Sequence, residues 1–200
     1  DIKTIDFDFD SSFIIGLEAQ RRNYELFYYH PDDLFIDQGE VKAKGYFLEL
    51  IDEKTNYFKF LSDKTEVKLE EFKFIFLRQD PPFNMHYITS TYLLDCLPGS
   101  TKVINNPSSV RNAAEKILPF KFKEFMPPSL ISQSVDEIKN FFKVHKDIIT
   151  KPLYGNGGEG IHRSQDGLLK GIDIQGDYLE MPIMVQKYIP EISEGDRRII

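Results

Sequence analysis

Apolar and polar positions at the start of the chain predict a short polar segment followed by a helix. TIDFDFD (residues 4–10) alternates apolar and acidic residues with a period of two, which is typical of a polar strand face or a loop. Ser11 or Ser12 is then placed to cap a helix. YELFYY (residues 24–29) predicts the strand after that helix, and residues 38–70 are less regular.

The next block alternates strands with helices. FKFIFLR (residues 72–78) predicts a buried strand, and the two prolines of RQDPPFN end it in a rigid turn. A helix near residues 87–97, the strand KVINN (residues 102–106) and a helix capped by Asn106 follow. This alternation predicts an α/β domain with a mostly parallel, Rossmann-like sheet over residues 1–112.

A new unit begins near Lys116. Ser134 and Glu137 have the spacing of a capping box and open an amphipathic helix. The strand DIIT then enters KPLYGNGGEGI (residues 151–161), which has four glycines in six residues. A further strand over residues 183–189 precedes the loop PEISEGD and the apolar run RRII.

Composition and charge narrow the classes of function. With 25 basic and 32 acidic residues the formal charge is −7, which argues against nucleic-acid binding and against a polybasic membrane surface. The single cysteine, Cys96, allows no internal disulfide and favours a reducing compartment such as the cytoplasm. No apolar stretch approaches the ~18 residues of a membrane span. The opening at Asp1 without a methionine and the closing run RRII are expected of a fragment.

The spacing of Asp6, Asp8 and Asp10 invites comparison with a calcium-binding loop. Such a loop needs glycine at its sixth position and glutamate at its twelfth, where this chain has Ser11 and Leu17. A polar strand face or loop is therefore the favoured interpretation.

The glycine-rich stretch has three candidate interpretations: a flexible turn, a dinucleotide-binding turn and a lid over phosphates. Gly155, Gly157 and Gly160 satisfy G-x-G-x-x-G, but that fingerprint requires a helix immediately afterwards, and IHRSQDG does not predict one. No G-K-[ST] follows either, so a Walker A loop is excluded. A strand–loop–strand hairpin fits better, with glycine amides that could wrap an anion beside the cation of Lys151.

Other residues add to a nucleotide-binding hypothesis. Lys116, Arg197 and Arg198 supply further positive charge to the same unit. In MVQKYIP, the side chain of Gln186 and the main chain of residues 187–189 could read the edge of a flat base. Asp196 could accept hydrogen bonds from ribose hydroxyls. The alternative is an ordinary strand followed by a solvated charged loop.

Six segments of the chain, in order, resemble the bacterial glutathione synthetases, which are ATP-grasp ligases. These segments are EAQRRNYELFYY, FLRQDPPFN, ITSTYLL, NNPSSVRNAAEKI, DIITKPLYGNGGEGI and VQKYIPEISEGDRRII. The resemblance implies an N-terminal α/β domain over 1–112 and an ATP-grasp lid subdomain over 113–190, with its glycine-rich loop at 155–160. Residues 191–200 would begin the C-terminal catalytic subdomain, so the implied fold class is α/β (α+β).

The resemblance also implies roles for individual residues. Lys151 and Arg198 would act on the phosphates during catalysis, and Asp196 would contact the ribose. The residues implied to bind ATP are Lys116, Lys151, Gly155, Asn156, Gly157, Gly158, Gly160, Gln186, Lys187, Tyr188, Ile189, Asp196 and Arg198. Arg78 is the candidate for a substrate carboxylate, with a structural ion pair to Asp80 as the alternative.

The implied reaction joins γ-glutamylcysteine and glycine to form glutathione, with ATP converted to ADP and phosphate through an acyl phosphate. The family's metal ligands, for Mg²⁺ or Mn²⁺, are expected beyond Ile200, so these residues alone should be inactive. The family is commonly a homotetramer. Two alternatives remain open: another ATP-grasp carboxylate–amine ligase, of the glutamate-adding or D-alanine-joining type, and a non-catalytic nucleotide-binding module.

Overall fold

The computed structural model describes residues 1–165, 168–172 and 176–197, and the chain divides into two units. The first unit comprises Asp1–Asp80 and Met85–Asn112, and the second comprises Pro81–Asn84 and Ala113–Ile200. Both units contain helices and strands, which confirms the mixed α+β class. Within the described ranges, no helix has the length and apolar character needed to cross a bilayer.

The first unit contains three helices and six strands among its described residues. In chain order these are α1 (Ser11–Arg21), β1 (Leu26–Asp37), β2 (Glu40–Leu50), β3 (Phe58–Phe60), β4 (Thr65–Lys68), β5 (Phe74–Phe76), α2 (Met85–Asp95), β6 (Lys102–Ile104) and α3 (Pro107–Asn112). Short 3-10 helices cover Ile2–Thr4 and Leu69–Glu71. The main core of this unit packs Leu34, Val41, Ala43, Leu69, Ile75, Leu77 and Leu94 together.

The mostly parallel sheet predicted for the first unit is wrong in its main part. Strands β1 to β4 form an antiparallel sheet, and only the separate pair β5–β6 is parallel. The reason is a tight turn at Gln38 and Gly39, which both have positive φ (49° and 87°) and fold β1 back on β2 as a hairpin. This hairpin lies at the beginning of the segment that the apolar pattern leaves irregular.

The beginning of the chain forms turns, and Asp10 caps α1 in place of Ser11 or Ser12. Oδ1 of Asp10 accepts a hydrogen bond from the amide of Phe13 at 2.9 Å. Oδ1 of Asp6 likewise accepts from the amide of Asp8 at 3.2 Å. Acidic side chains therefore satisfy nearby amides, and this local bonding favours turns over a strand.

The predicted cap of α3 is confirmed. Oδ1 of Asn106 accepts a hydrogen bond from the amide of Ser109 at 2.8 Å, and Pro107 occupies the first helical position. The strand predicted over residues 72–78 is confirmed as β5, although Phe74 and Phe76 are exposed and only Ile75 within β5 is buried.

The second unit contains one α-helix and four strands among its described residues. They are β7 (Ser129–Ser134), α4 (Val135–His145), β8 (Ile148–Pro152), β9 (His162–Ser164) and β10 (Tyr178–Lys187), with 3-10 helices at Leu118–Phe125 and Pro190–Glu194. The hydroxyl of Ser134 caps α4 by accepting from the amide of Glu137 at 3.4 Å, as the capping box predicts. The strands form one antiparallel sheet in the order β7–β10–β8–β9.

Candidate functional site

The sheet of the second unit has one apolar face, which packs against α4. Ile148 and Val185 on this face are fully buried, and they form a core with Ile138 and Phe142 of the helix. Because successive side chains of a strand point to opposite faces, residues at the alternate positions of β8 and β10 lie on the other face. Lys151 of β8 and Gln186 of β10 lie on that face.

Residues paired in register across the four strands share this second face. Ser129 of β7 is opposite Gln186 of β10, Gln186 is opposite Ile149 of β8, and Ile149 is opposite Arg163 of β9. Directly opposed residues of antiparallel strands point to the same side. Lys151 lies two residues after Ile149 and therefore shares that side. We call this set, Ser129, Ile149, Lys151, Arg163 and Gln186, the polar face.

A chain of hydrogen bonds runs along the polar face. Nζ of Lys151 donates to Oε1 of Gln186 at 2.7 Å, and Nε2 of Gln186 donates to Oγ of Ser129 at 2.8 Å. Oγ of Ser129 in turn donates to the carbonyl oxygen of Pro127 at 2.8 Å. Both ends of the Gln186 amide are therefore engaged, and this fixes where the ammonium group of Lys151 lies. Within the described ranges, Gln186 takes one of the three ammonium donors, which leaves two for a ligand.

The electrostatic setting of Lys151 favours an anion. Burial lowers the pKa of Lys151, the positive charge of Lys116 lowers it further, and the carboxylate of Glu115 opposes both effects. Two cations thus lie close enough to interact in a half-buried setting. An anionic ligand would relieve this repulsion, because an opposite charge nearby stabilises the charged form of each lysine.

The glycine-rich loop joins β8 to β9 as a hairpin, which confirms the strand–loop–strand prediction. Nζ of Lys116 donates to the carbonyl oxygen of Gly155 at 2.5 Å, so the first residue of the loop lies against one of the two cations. Inside the loop, the amide of Glu159 donates to the carbonyl of Asn156 at 3.2 Å, and that of Ile161 donates to Gly158 at 3.4 Å. These are successive turns at the tip of a hairpin.

The glycines of the loop have different structural roles. Gly157, Gly158 and Gly160 have φ of +61°, +80° and +68°, a region that favours glycine. A Cβ on Gly160 would lie 2.7 Å from Cγ of Pro152, whereas a Cβ on Gly157 would meet open space. Gly160 therefore permits close packing at the neck of the hairpin, while Gly157 only permits its own backbone conformation.

The segment after β10 is held by main-chain bonds. The amide of Lys187 donates to the carbonyl of Pro128 at 2.9 Å, and the amide of Tyr188 donates to the carbonyl of Asp147 at 3.0 Å. The carbonyl of Ile189 accepts from Ile192 at 3.2 Å in the following 3-10 turn. A base bound along this segment would have to use its other main-chain groups.

The remaining predicted residues are Asp196, Arg197, Arg198 and Arg78. Asp196 and Arg197 are exposed and follow Gly195, which has φ of +101°. Arg198 lies outside the described residues. Arg78 belongs to the first unit, where its guanidinium donates to the hydroxyls of Ser12 at 3.1 Å and Ser11 at 2.5 Å.

Two charged residues at this site were not found by sequence analysis. Asp147 directly precedes β8, and Arg163 lies in β9, where its guanidinium forms two hydrogen bonds with the Asp147 carboxylate at 2.9 and 2.7 Å. Arg163 also lies over the ring of Tyr188, 3.5 Å from the centroid. The predicted strand–loop–strand hairpin could have indicated this pair. Pairing β8 with β9 brings residues 147 and 163 to the same end of the two strands.

Across the part of the chain that the structure describes, no three acidic, histidine or cysteine side chains converge as a metal site would require.

Family comparisons match both parts of the chain. A family model described as "Prokaryotic glutathione synthetase, N-terminal domain" matches residues 1–111, and one described as "Prokaryotic glutathione synthetase, ATP-grasp domain" matches residues 115–200.

Individual relatives named glutathione synthetase match nearly the whole chain. Those of Mesorhizobium japonicum, Agrobacterium fabrum and Vibrio cholerae are 41%, 43% and 36% identical over 100%, 96% and 100% of the chain. The chain spans 64%, 60% and 64% of these relatives' lengths. Among solved structures, an ATP-grasp ligase of Chryseobacterium gregarium matches at 15% identity over 82% of this chain and 50% of its own, with a TM-score of 0.37.

Proposed function

The chain belongs to the prokaryotic glutathione synthetase family, and from this premise we propose that the full-length protein is an ATP-dependent ligase that joins γ-glutamylcysteine to glycine. In the proposed reaction, the cysteinyl carboxylate attacks the γ-phosphorus of ATP, and ADP leaves. The glycine amine then attacks the acyl carbon, phosphate leaves with the C–O electron pair, and the nitrogen loses a proton as the amide forms. The observation that carries this proposal is a pair of interacting lysines beside the glycine-rich hairpin: Lys151 on the polar face, and Lys116, which donates to the first residue of the loop.

Lys151 and Lys116 would hold the phosphates. Phosphoryl transfer depends mainly on positioning and on neutralising charge, and a mutually repelling pair of half-buried cations supplies both. At ~4 Å and an effective dielectric constant of about 20, one lysine charge against one phosphate charge contributes roughly 4 kcal/mol before desolvation is counted. Gln186 orients Lys151 without cancelling its charge, because an amide carries none.

The loop at residues 155–160 would close over the phosphates. Its amides could donate to phosphate oxygens, each such bond contributing about 1.5–3 kcal/mol before the entropy of ordering the loop is subtracted. An acyl phosphate is readily hydrolysed, so exclusion of water by a closed loop would protect the intermediate. The positive φ of Gly157, Gly158 and Gly160 gives this segment conformations that other residues disfavour.

Further assignments extend the same proposal. Asn156 and the main chain of residues 187–189 would contact the nucleotide, Asp196 the ribose, Arg198 the phosphates and Arg78 a carboxylate of γ-glutamylcysteine. We also propose domain limits at 1–112, 113–190 and 191–200. Mg²⁺ or Mn²⁺ would accompany ATP, with ligands outside this chain, and the protein would be a cytoplasmic homotetramer that binds neither nucleic acid nor membrane.

Product analysis of the full-length protein tests the activity. Supplied with ATP, Mg²⁺, γ-glutamylcysteine and glycine, it should form glutathione and ADP in equal amounts. Parallel reactions with glutamate, and with D-alanine in place of both substrates, address the alternative ligases. Product only in one of those reactions would replace glutathione synthesis by that chemistry. ATP binding without any product would favour the nucleotide-binding module.

A further inference from the structure

Asp147 and Arg163 form a charged pair at the end of the β8–β9 ladder away from the glycine-rich loop, outside the residues assigned to ATP above. The two hydrogen bonds of the pair are parallel, and Nε2 of Gln165 donates to the same carboxylate at 3.0 Å. The guanidinium lowers the pKa of Asp147 and the carboxylate raises that of Arg163, so both groups stay charged around neutrality. Two hydrogen bonds between the planar guanidinium and the planar carboxylate restrict the orientation of both side chains.

The same pair holds Tyr188 in two ways. The main-chain carbonyl of Asp147 accepts from the amide of Tyr188 at 3.0 Å, and the guanidinium of Arg163 lies 3.5 Å from the centroid of the Tyr188 ring. Tyr188 comes two residues after Gln186, and Asp147 two residues before Ile149, so both continue the alternation of the polar face. Backbone and side chain of Tyr188 are thus both fixed by residues of the loop hairpin.

We propose that Asp147 and Arg163 are positioning residues that fix the segment Gln186–Ile189 for recognition of the adenine base. This inference rests on the function proposed above. A guanidinium already paired with a carboxylate on two donors has little net charge to offer a phosphate, and its face is occupied by an aromatic ring. Its effect on a nucleotide should therefore pass through Tyr188 and appear at the base end of the ligand.

Substitution Arg163→Lys in the full-length protein tests this assignment. Lysine keeps the positive charge but lacks the two-donor fork and the flat face that lies over an aromatic ring. Binding is measured for ATP and for inorganic tripolyphosphate, which has the phosphates without the base. We expect the dissociation constant for ATP to rise about fivefold, the order of magnitude of one cation–π contact, while that for tripolyphosphate changes less than about twofold. KM for ATP should rise by a similar factor, while kcat should stay within about twofold of the value for the unsubstituted protein.

Arg111 in the first unit provides a matched control. Its guanidinium contacts the carboxylate of Asp95 through one nitrogen and lies 4.4 Å from the ring centroid of Tyr92, so the same three residue types meet there. Its other terminal nitrogen donates to the hydroxyl of Thr91. Arg111→Lys should lower the melting temperature at least as much as Arg163→Lys, because its side chain is the less exposed (17% against 39%). It should leave the ratio of ATP to tripolyphosphate affinity unchanged.

A second variant tests the same contact in case Arg163→Lys fails to fold. Asp147→Asn removes the ion pair but keeps the carbonyl that binds the Tyr188 amide, so we expect the same selective loss of ATP affinity, about twofold to threefold. Equal weakening of ATP and tripolyphosphate by Arg163→Lys would overturn the proposal, as would unchanged affinity for both. If the unsubstituted protein binds ATP no more tightly than tripolyphosphate, the proposed nucleotide function itself fails, which is a distinct result.

Discussion

The ammonium group of Lys151 lies 2.7 Å from the side-chain oxygen of Gln186, although the two residues are 35 positions apart in the chain. Strand pairing explains this contact, because Lys151 is opposite Met184 and Gln186 is two residues further along β10 on the same face. The partner is neutral, so it holds the lysine in place while leaving its charge available. An anion-binding lysine needs both properties at once.

We predict that Gln186→Glu weakens ATP binding by about tenfold or more. A carboxylate beside Lys151 would form an ion pair and cancel the charge that is proposed to attract phosphate. Isothermal titration calorimetry with ATP measures the change. The control is Gln186→Met, which removes the hydrogen bond without adding charge and should cost less affinity. A larger loss with methionine would show that orientation of Lys151 matters more than its charge.

The lowered pKa of Lys151 predicts proton uptake on ATP binding in the alkaline range below the ordinary lysine value of 10.5. In the free folded protein this group releases its proton at lower pH than in the unfolded chain, so its contribution to stability rises with pH in that range. Bound phosphate favours the ammonium form, so ATP affinity should fall as pH rises there. Calorimetry in two buffers of different ionisation enthalpy measures the uptake.

Lys151→Arg is the control for that pH dependence. A guanidinium remains protonated throughout the range, so the proton uptake assigned to this position should disappear. Persistence of the full uptake in the arginine variant would assign the titration to another group.

Gly160→Ala and Gly157→Ala should differ in their effect on stability. Both positions have positive φ, which costs an alanine on the order of 1 kcal/mol. At Gly160 the added methyl would also lie 2.7 Å from Cγ of Pro152, so we expect a total loss of about 2–3 kcal/mol there. Denaturant unfolding of both variants measures the difference. Equal losses would mean that the neck of the hairpin readily opens to accept the methyl group.

Lys151→Ala should weaken ATP binding more than Gly157→Ala, whereas the glycine variant should act more on turnover. The lysine offers its positive charge to the nucleotide throughout the reaction. A Cβ on Gly157 would contact nothing, so that substitution acts only on the backbone conformation of the loop. Titration with an ATP analogue and measurement of kcat in the full-length protein separate the two effects. A greater loss of affinity in the glycine variant would contradict this division.

Local signals predicted local structure well. The Asn106 cap and the capping box at Ser134 both form as expected, because each depends only on residues within three positions. The hairpin around the glycines was predictable for a similar reason, since IHRSQDG lacks a helical pattern. Among the predicted site residues, Lys116, Lys151, Gly155 and Gln186 are joined by direct hydrogen bonds in two pairs.

Features that depend on strand pairing were not predicted from the sequence. Gln38 is an uncommon residue at positive φ, so the hairpin between β1 and β2 has a weak signature and a parallel sheet was expected instead. Asp10 caps α1 although two serines compete for that role, because a single residue decides where a helix begins. The Asp147–Arg163 pair depends on the register of β8 with β9, which is defined only once the strands pair.

Successive side chains of β8 point to opposite faces of the sheet, and this restricts changes in the length of the strand. Inserting or deleting one residue between Asp147 and Lys151 would turn the lysine toward α4 and remove its charge from the polar face. A register change of this kind alters every position of the strand at once, unlike any single substitution. Length variation should therefore be rare within Ile148–Pro152 and better accommodated at the exposed tip of the hairpin, where Gly157 and Gly158 have open space around them.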